Sequence, residues 1–329
     1  MKVNKVLLVG LGSIGKRHLN NLQRLLPQAT LVVLRSRKGG SPADNFKIVT
    51  SIEAAIDFHP DMAVICSPSS LHIELAGRLA AEGVHLFIEK PLSNRVQGVQ
   101  KFIDMIDCNN LKVMVGYNLR FSPSLLAFKS LLDKEEFGRV LTVSAEVGQY
   151  LPTWRPDVDY RATVSAQSDL GGGVLLELSH ELDYLIWLFG KVVTTSARLM
   201  KVSALELDVE DLVLAHIDFQ KNGHQLPVSV HLDFLQRQPY RRCKAVCEQA
   251  TLVWNAVSGE VEVRQQGGSC THFQDNTDRN FTYEQELQTF INCIETGTPV
   301  PIDAHEGLRV LELVDAIKKS SESGRVVHL

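Results

Sequence analysis

Short apolar runs alternate with amphipathic segments over the first 120 residues, and that alternation leaves few architectures open. The runs are Val6–Val9, Leu31–Leu34, Met62–Cys66, Leu86–Ile88 and Val113–Val115. Between them, Arg17–Leu26, Leu71–Glu82 and Val96–Cys108 carry apolar residues at helical spacing. Strand–helix–strand repetition implies a parallel sheet covered by helices on both faces. Strands buried on both sides need not alternate in polarity, and these do not.

After Phe121 the pattern changes. A helix over Pro123–Leu132 precedes a loop-rich stretch, Tyr150–Gly173, with Pro152, Pro156 and three consecutive glycines ending it. A further helix is expected over about Val174–Phe189. Period-two runs follow, among them Val192–Met200, Leu212–Phe219, Val228–Phe234 and Ala250–Trp254. Tyr283–Glu295 and Ala304–Ser321 return to helical spacing. Helices grouped around an antiparallel sheet make an α+β domain. The expected fold class is therefore α/β, with a doubly wound parallel sheet over residues 1–120 and an α+β domain over 121–329.

Composition narrows the partners. A chain of 329 residues, 44% apolar and 22% charged, suits roughly two globular domains. Its 34 Lys+Arg against 38 Asp+Glu leave a net charge of −4, whereas a nucleic-acid binder needs a basic face. No apolar run approaches the roughly 18 residues of a membrane helix. The six cysteines (Cys66, Cys108, Cys243, Cys247, Cys270 and Cys293) are scattered without a CxxC pair. That usage fits a reducing compartment and offers no metal site. Lys2 and Lys5 ahead of VLLVGLGSIG imitate a signal peptide, yet Lys16, Arg17 and His18 stand where its cleavage site belongs. A cytoplasmic protein is expected, with neither nucleic acid nor membrane as partner.

Gly10, Gly12 and Gly15 form GxGxxG directly behind the first apolar run. Alone the motif is weak; the strand before it and the helix after it carry the weight. Gly10 permits a tight turn, Gly12 lets backbone approach a pyrophosphate, and Gly15 allows close helix–strand packing. The helix N-terminus, with Ser13 and Ile14, then faces the phosphates. A βα turn without a ligand is the plain alternative. About 20 residues further on, an NAD-selective site would carry a carboxylate for the ribose hydroxyls. Here stand Arg35, Ser36, Arg37 and Lys38. Two guanidinium groups suit a 2′-phosphate, so NADP(H) is favoured over NAD(H). A solvated basic turn is the reading without a ligand.

The stretch Asp61–Leu92, DMAVICSPSSLHIELAGRLAAEGVHLFIEKPL, together with GLGSIGKRH over residues 10–18, resembles the glucose–fructose oxidoreductase / inositol dehydrogenase / rhizopine-catabolism (Gfo/Idh/MocA) superfamily. The likeness continues through GYNLRF (Gly116–Phe121), GGGVLLELSHELD (Gly171–Asp183) and the closing helices, nearly the whole chain. It implies a Rossmann domain followed by a substrate-binding domain whose large, mostly antiparallel open sheet joins a homodimer or homotetramer. It also implies Ser67, Pro68, His72, Glu89 and Lys90 around the cofactor, with Lys90 as the catalytic-site lysine.

The residues themselves allow those roles. Lys90 ends a buried strand at the carboxyl edge of the sheet, where ligands bind, just before Pro91, which cannot continue a ladder. Partial burial would suit it to hydrogen-bond a substrate oxygen and share in proton transfer. A surface lysine paired with Glu89 is the bland alternative. His180 stands at spacings of three from Glu177 and Asp183, where a carboxylate can fix the imidazole tautomer and leave its other nitrogen to take a hydroxyl proton. The superfamily often has Asp four residues before this His; here Leu176 holds that position and Glu177 is the nearest acid, while Asp183 keeps the His-x-x-Asp half. HELDY misses the HExxH spacing of a zinc protease.

The segment Tyr150–Arg161, YLPTWRPDVDYR, is rich in residues that bind sugars. Trp154 and Tyr160 can pack on sugar C–H faces, and Arg155 or Arg161 can hold an anionic group. Asn118 and Arg120 follow the last strand of the first domain and are expected at the same cleft. The leading function is NAD(P)-dependent hydride transfer at a hydroxyl or carbonyl of a sugar-like molecule, with a resemblance to members acting in cell-surface sugar pathways. A non-catalytic NADP-binding regulatory protein and a cofactor-recycling glycosidase are the alternatives.

Overall fold

The computed structural model describes residues 2–35 and 46–329. The chain divides into two compact units, Met1–Asn118 with Arg279–Leu311, and Leu119–Asp278 with Glu312–Leu329.

The first unit runs through β1 (Lys5–Val9), α1 (Ser13–Leu25), β2 (Thr30–Leu34), β3 (Lys47–Val49), α2 (Ile52–Ile56), β4 (Met62–Ile65), α3 (His72–Ala81), β5 (His85–Glu89), α4 (Val99–Cys108) and β6 (Val113–Gly116). The described strands pair in parallel in the order β3-β2-β1-β4-β5-β6. This is the doubly wound order of a dinucleotide-binding sheet, reversing at β1 and β4. Val6–Val9, β4 and Leu86–Ile88 are almost fully buried, as strands covered on both faces must be. Register sets the strand ends level. Val9 lies beside Leu34 and Ile65, and Ile65 beside Ile88. Gly10, Arg35, Cys66 and Glu89 therefore leave the sheet along one edge.

The second unit contains α5 (Pro123–Lys134), β7 (Val140–Gly148), several 3₁₀ turns between Leu151 and Leu170, α6 (Val174–Glu177), α7 (His180–Phe189), and the strands β8 (Lys191–Met200), β9 (Leu212–Lys221), β10 (His224–Asp233), β11 (Tyr240–Cys247), β12 (Thr251–Asn255), β13 (Glu260–Gln265) and β14 (Gly268–Gln274). The chain then forms α8 (Phe281–Thr296), α9 (Ala304–Ser323) and β15 (Val327–His328). The described strands of this unit make one sheet, β14-β13-β12-β11-β7-β10-β9-β8-β15, antiparallel except where β7 meets β10. Among the described residues, no helix is long and apolar enough to cross a membrane.

Three local features differ from the sequence pattern. The short edge strand β3 carries no apolar run that would mark it. The helix expected over Val174–Phe189 is two helices, broken at Leu178 and Ser179. Ahead of the break, Gly173 has φ +102°, and a Cβ there would stand 2.5 Å from Glu210 Oε1. Finally, residues 279–311 fold with the first unit. Phe290 of α8 packs against Phe87 of β5, with ring centroids 5.9 Å apart, and the Val115 amide donates to the Ile302 carbonyl at 2.9 Å.

Trp254 organises the core of the second unit. It is fully buried on β12, its Nε1 donates to Ser124 Oγ on α5 at 3.0 Å, and its ring meets Tyr184 of α7 edge-on at 5.4 Å. Trp254→Phe keeps an aromatic ring but removes the donor and part of the packing. A loss of about 1–3 kcal/mol in urea unfolding is expected.

Candidate active site

The glycine loop is shaped by backbone contact. Gly10 has φ +91°, and a Cβ there would lie 2.8 Å from the Cys66 carbonyl oxygen. A Cβ on Gly15 would fall 2.2 Å from the Gly10 carbonyl oxygen. No side chain fits at either point. A Cβ on Gly12 would meet nothing within 4 Å. Gly12 caps α1 without a side-chain hydrogen bond, and the first turn carries no acid. The positive end of a 13-residue helix, with the first-turn residues Ser13 and Ile14, is thus left for an anion. These residues fit a dinucleotide pyrophosphate. The Arg35 amide donates to the Val49 carbonyl at 3.1 Å, which ties the residue after β2 to the end of β3. Ser36 and Arg37 lie outside the described residues.

Beyond β4 and β5, the loops are joined by His72. Its Nδ1 lies 2.9 Å from the Pro91 carbonyl oxygen and its Nε2 2.8 Å from that of Ser67. A neutral ring donates to one of them at a time, and burial pulls the imidazole pKa below its ordinary value. His72 therefore fixes Ser67-Pro68 and Lys90-Pro91 relative to each other. Glu89 is buried. One of its oxygens lies 2.5 Å from His18 Nε2, and the other accepts the Lys90 amide at 3.1 Å.

His18 and Glu286 are the site residues that sequence reasoning did not single out. His18 sits on the buried side of α1, three residues beyond Gly15, with its ring edge-on to Phe87 at 5.3 Å. Glu286 stands on the buried face of α8 among Leu287, Phe290 and Ile291. Both its carboxyl oxygens are buried and take no hydrogen bond among the described residues. Burial, and then the neighbouring Glu89, push its pKa well above the usual 4.5. Asn118 ends this unit, donating from Nδ2 to Thr282 Oγ1 on α8 at 2.7 Å.

In the second unit, His180 opens α7 and is buried. Asp183, one turn on, accepts Arg120 Nε at 2.9 Å and Nη2 at 2.7 Å in a buried two-point pair. Arg120 also lies 5.5 Å from the centre of the Trp187 ring. Glu177, at the end of α6, accepts Ser165 Oγ at 3.0 Å. Ser165 lines a shallow depression together with Leu151, Trp154, Arg155, Val158, Tyr160 and Thr163. The three loop residues expected to meet substrate thus share one hollow, and its serine reaches Glu177. Within it, Trp154 Nε1 donates to the Gln149 carbonyl at 3.0 Å, and the Tyr160 hydroxyl accepts the Glu206 amide at 3.0 Å. Both aromatic side chains are therefore braced by backbone.

Comparison with known proteins accounts for both units. Residues 4–117 match the model described as "Oxidoreductase family, NAD-binding Rossmann fold", and residues 129–329 match "Oxidoreductase family, C-terminal alpha/beta domain". The chain is 26% identical to an inositol 2-dehydrogenase of Rhizobium meliloti over 98% of each sequence. It is 25% identical to a D-xylose 1-dehydrogenase (NADP(+)) of Haloferax volcanii over 89% of each. In fold it is similar to the WlbA dehydrogenase of Bordetella pertussis, solved with NADH and UDP-GlcNAcA, with a TM-score of 0.85, 22% identity and coverage of 100% and 99% of the two chains.

The buried Glu286 has a consequence for stability. The unfolded carboxyl titrates near its usual 4.5 and the folded one higher. Between the two, the native state holds one more proton, so stability falls as pH rises from about 4.5, by up to about 1.4 kcal/mol per unit. Glu286→Gln should remove that contribution and raise stability at neutral pH. Urea unfolding of both proteins between pH 4 and 9, as an approximate working range, measures the difference in slope.

Proposed function

Because the chain belongs to the Gfo/Idh/MocA oxidoreductase family and carries its NAD-binding Rossmann fold, we propose that it moves a hydride between a nicotinamide cofactor and a CH–OH group of a sugar or polyol. The observation that carries this reading is the position of Lys90. It leaves β5 along the sheet edge where the glycine loop leaves β1, and Glu89 and His72 hold that strand end. Relatives named for inositol and xylose support the substrate class.

When bound, the nicotinamide supplies or accepts the hydride. The protein's own share is proton transfer and orientation. Lys90 donates a hydrogen bond to the reacting oxygen and stabilises the negative charge that develops there. His180 takes the hydroxyl proton in the oxidative direction and returns it in the reductive one. Asp183 holds Arg120 with both oxygens and acts as a positioning residue for α7. Glu177 is proposed to act through Ser165. Trp154, Tyr160 and Arg155 receive the sugar-like substrate, the arginine favouring an anionic group. Asn118 and Arg120 are proposed as further substrate contacts.

Arg35, with Arg37, selects NADP(H) over NAD(H) through the 2′-phosphate. The working form is proposed to be a cytoplasmic homodimer or homotetramer joined through the sheet of the second unit, whose strands carry the exposed Leu141 and Leu214.

Two sets of measurements test the reading. NADPH should bind more tightly than NADH by roughly 1–3 kcal/mol in titration calorimetry, and Arg35→Asp should reverse the order. Equal affinities would remove the basic turn from cofactor selection. For the chemistry, a screen at 340 nm over sugars, inositols and nucleotide sugars finds the substrate, and single-turnover hydride transfer is then followed. Lys90→Met and His180→Asn should each lower the rate by roughly 10²–10⁴, non-additively, with little change in cofactor affinity. Glu177→Gln should have a mild effect. Full rates in both single variants would favour a regulatory cofactor-binding protein. Release of free sugar without net change in NADP(H) would favour a glycosidase.

A further inference from the structure

Behind the strand end of Lys90 lies a buried group, two of whose members, His18 and Glu286, the proposed reaction leaves unused. His18 of α1, Glu89 of β5 and Glu286 of α8 each offer a nitrogen or oxygen atom within 4.8 Å of the others. All three are buried. Glu89 has partners for both oxygens, His18 Nε2 at 2.5 Å and the Lys90 amide at 3.1 Å. Glu286 has none among the described residues. The titratable groups that act on the cluster among the described residues include Cys66 at the end of β4, His72 of α3 and Tyr283 on α8, with Arg17 of α1 stacked 4.4 Å from the Tyr283 ring centre and Arg279 also near it.

Two buried carboxylates this close cannot both ionise cheaply. Hydrogen bonds to the ionised form decide which of them does. Glu89 is offered a backbone amide and an imidazole; Glu286 is offered neither. We propose that Glu286 is held as the un-ionised acid, leaving Glu89 as the single anion of the cluster and the positioning residue for Lys90. In that state Glu89 clamps the Lys90 amide from one side and is itself clamped by His18, on the helix whose N-terminus suits the pyrophosphate. Lys90 is thereby tied to the dinucleotide loop through one carboxylate. The positioning role rests on the proposed part of Lys90 in hydride transfer; the protonation states do not.

Infrared difference spectroscopy of the full-length protein near neutral pH tests the acid. A protonated carboxyl band that shifts in D₂O is expected, lost in Glu286→Gln and retained in Glu89→Gln. Its absence from the wild-type protein would overturn the assignment. So would one equivalent of metal by elemental analysis that disappears in Glu286→Gln, because Glu286 would then be an ionised ligand. The positioning role is read from the ¹³C signal of reductively methylated Lys90, identified by its absence in Lys90→Arg. Glu89→Gln and His18→Leu should both move that signal; an unmoved signal in either folded variant would refute the clamp. Once a substrate is known, Glu89→Gln should lower kcat roughly 10- to 100-fold, the scale of an outer-shell partner, without loosening the dinucleotide. Neither the infrared nor the ¹³C measurement needs a substrate, so failure of the hydride-transfer reading would leave both decisive.

Discussion

Everything proposed for the first unit depends on a contact in which there is room for hydrogen and nothing larger. The Gly15 α-carbon faces the Gly10 carbonyl so closely that a methyl group would overlap it, and Gly10 in turn faces the Cys66 carbonyl. Three pieces of backbone, the turn after β1, the start of α1 and the end of β4, thus meet without side chains between them. Widening that junction would move more than the helix N-terminus. His18 is the next residue on the same side of α1, and it reaches Glu89. Glu89 in turn holds the amide of Lys90. Glycine packing and the aim of the lysine are therefore parts of one arrangement.

The second unit solves its buried charges differently. Arg120 and Asp183 meet through two parallel hydrogen bonds, and Glu181, also fully buried, lies 2.9 Å from Arg241. A pair with a buried acid is weak evidence for stability, since desolvation offsets much of the attraction. Their effect is geometric: each pair permits few arrangements. Both acids lie in the first turn of α7, the turn that His180 opens. The helix is held by its polar end as well as by its apolar face.

The strands of the first sheet were legible in the sequence because burial on both faces writes them as unbroken apolar runs. Lys47-Ile48-Val49 was not, because an edge strand three residues long has no such run. The break between Glu177 and His180 was hidden by continuous helical spacing with neither Gly nor Pro at the joint, so Glu177 and His180 lie on separate helices. The Arg120–Asp183 pair spans 63 positions, a separation at which local patterns are silent. Arg120 follows β6 in the sequence, and nothing in that position announces that its guanidinium lies on Asp183. Glu286 left a fainter mark. It is a carboxylate in the apolar stripe formed with Leu287, Phe290 and Ile291, which is unusual enough to be read as a buried acid. What the stripe could not reveal is that it faces β5 rather than the sheet of the second unit.

That return of the chain governs how the protein can be made and reused. Translation finishes β6 at Gly116, but the Phe87 ring then still lacks Phe290, and the Val115 amide still lacks the Ile302 carbonyl. During synthesis the nascent dinucleotide-binding unit must wait, with an uncovered apolar face, for more than half the chain to leave the ribosome. The same holds for exchange between proteins. A fragment cut at Asn118 takes the glycine loop and Lys90 but leaves behind the helix that completes their support. A recombination that keeps this unit whole must carry residues 279–311 with it, so the module is contiguous in space and split in the gene.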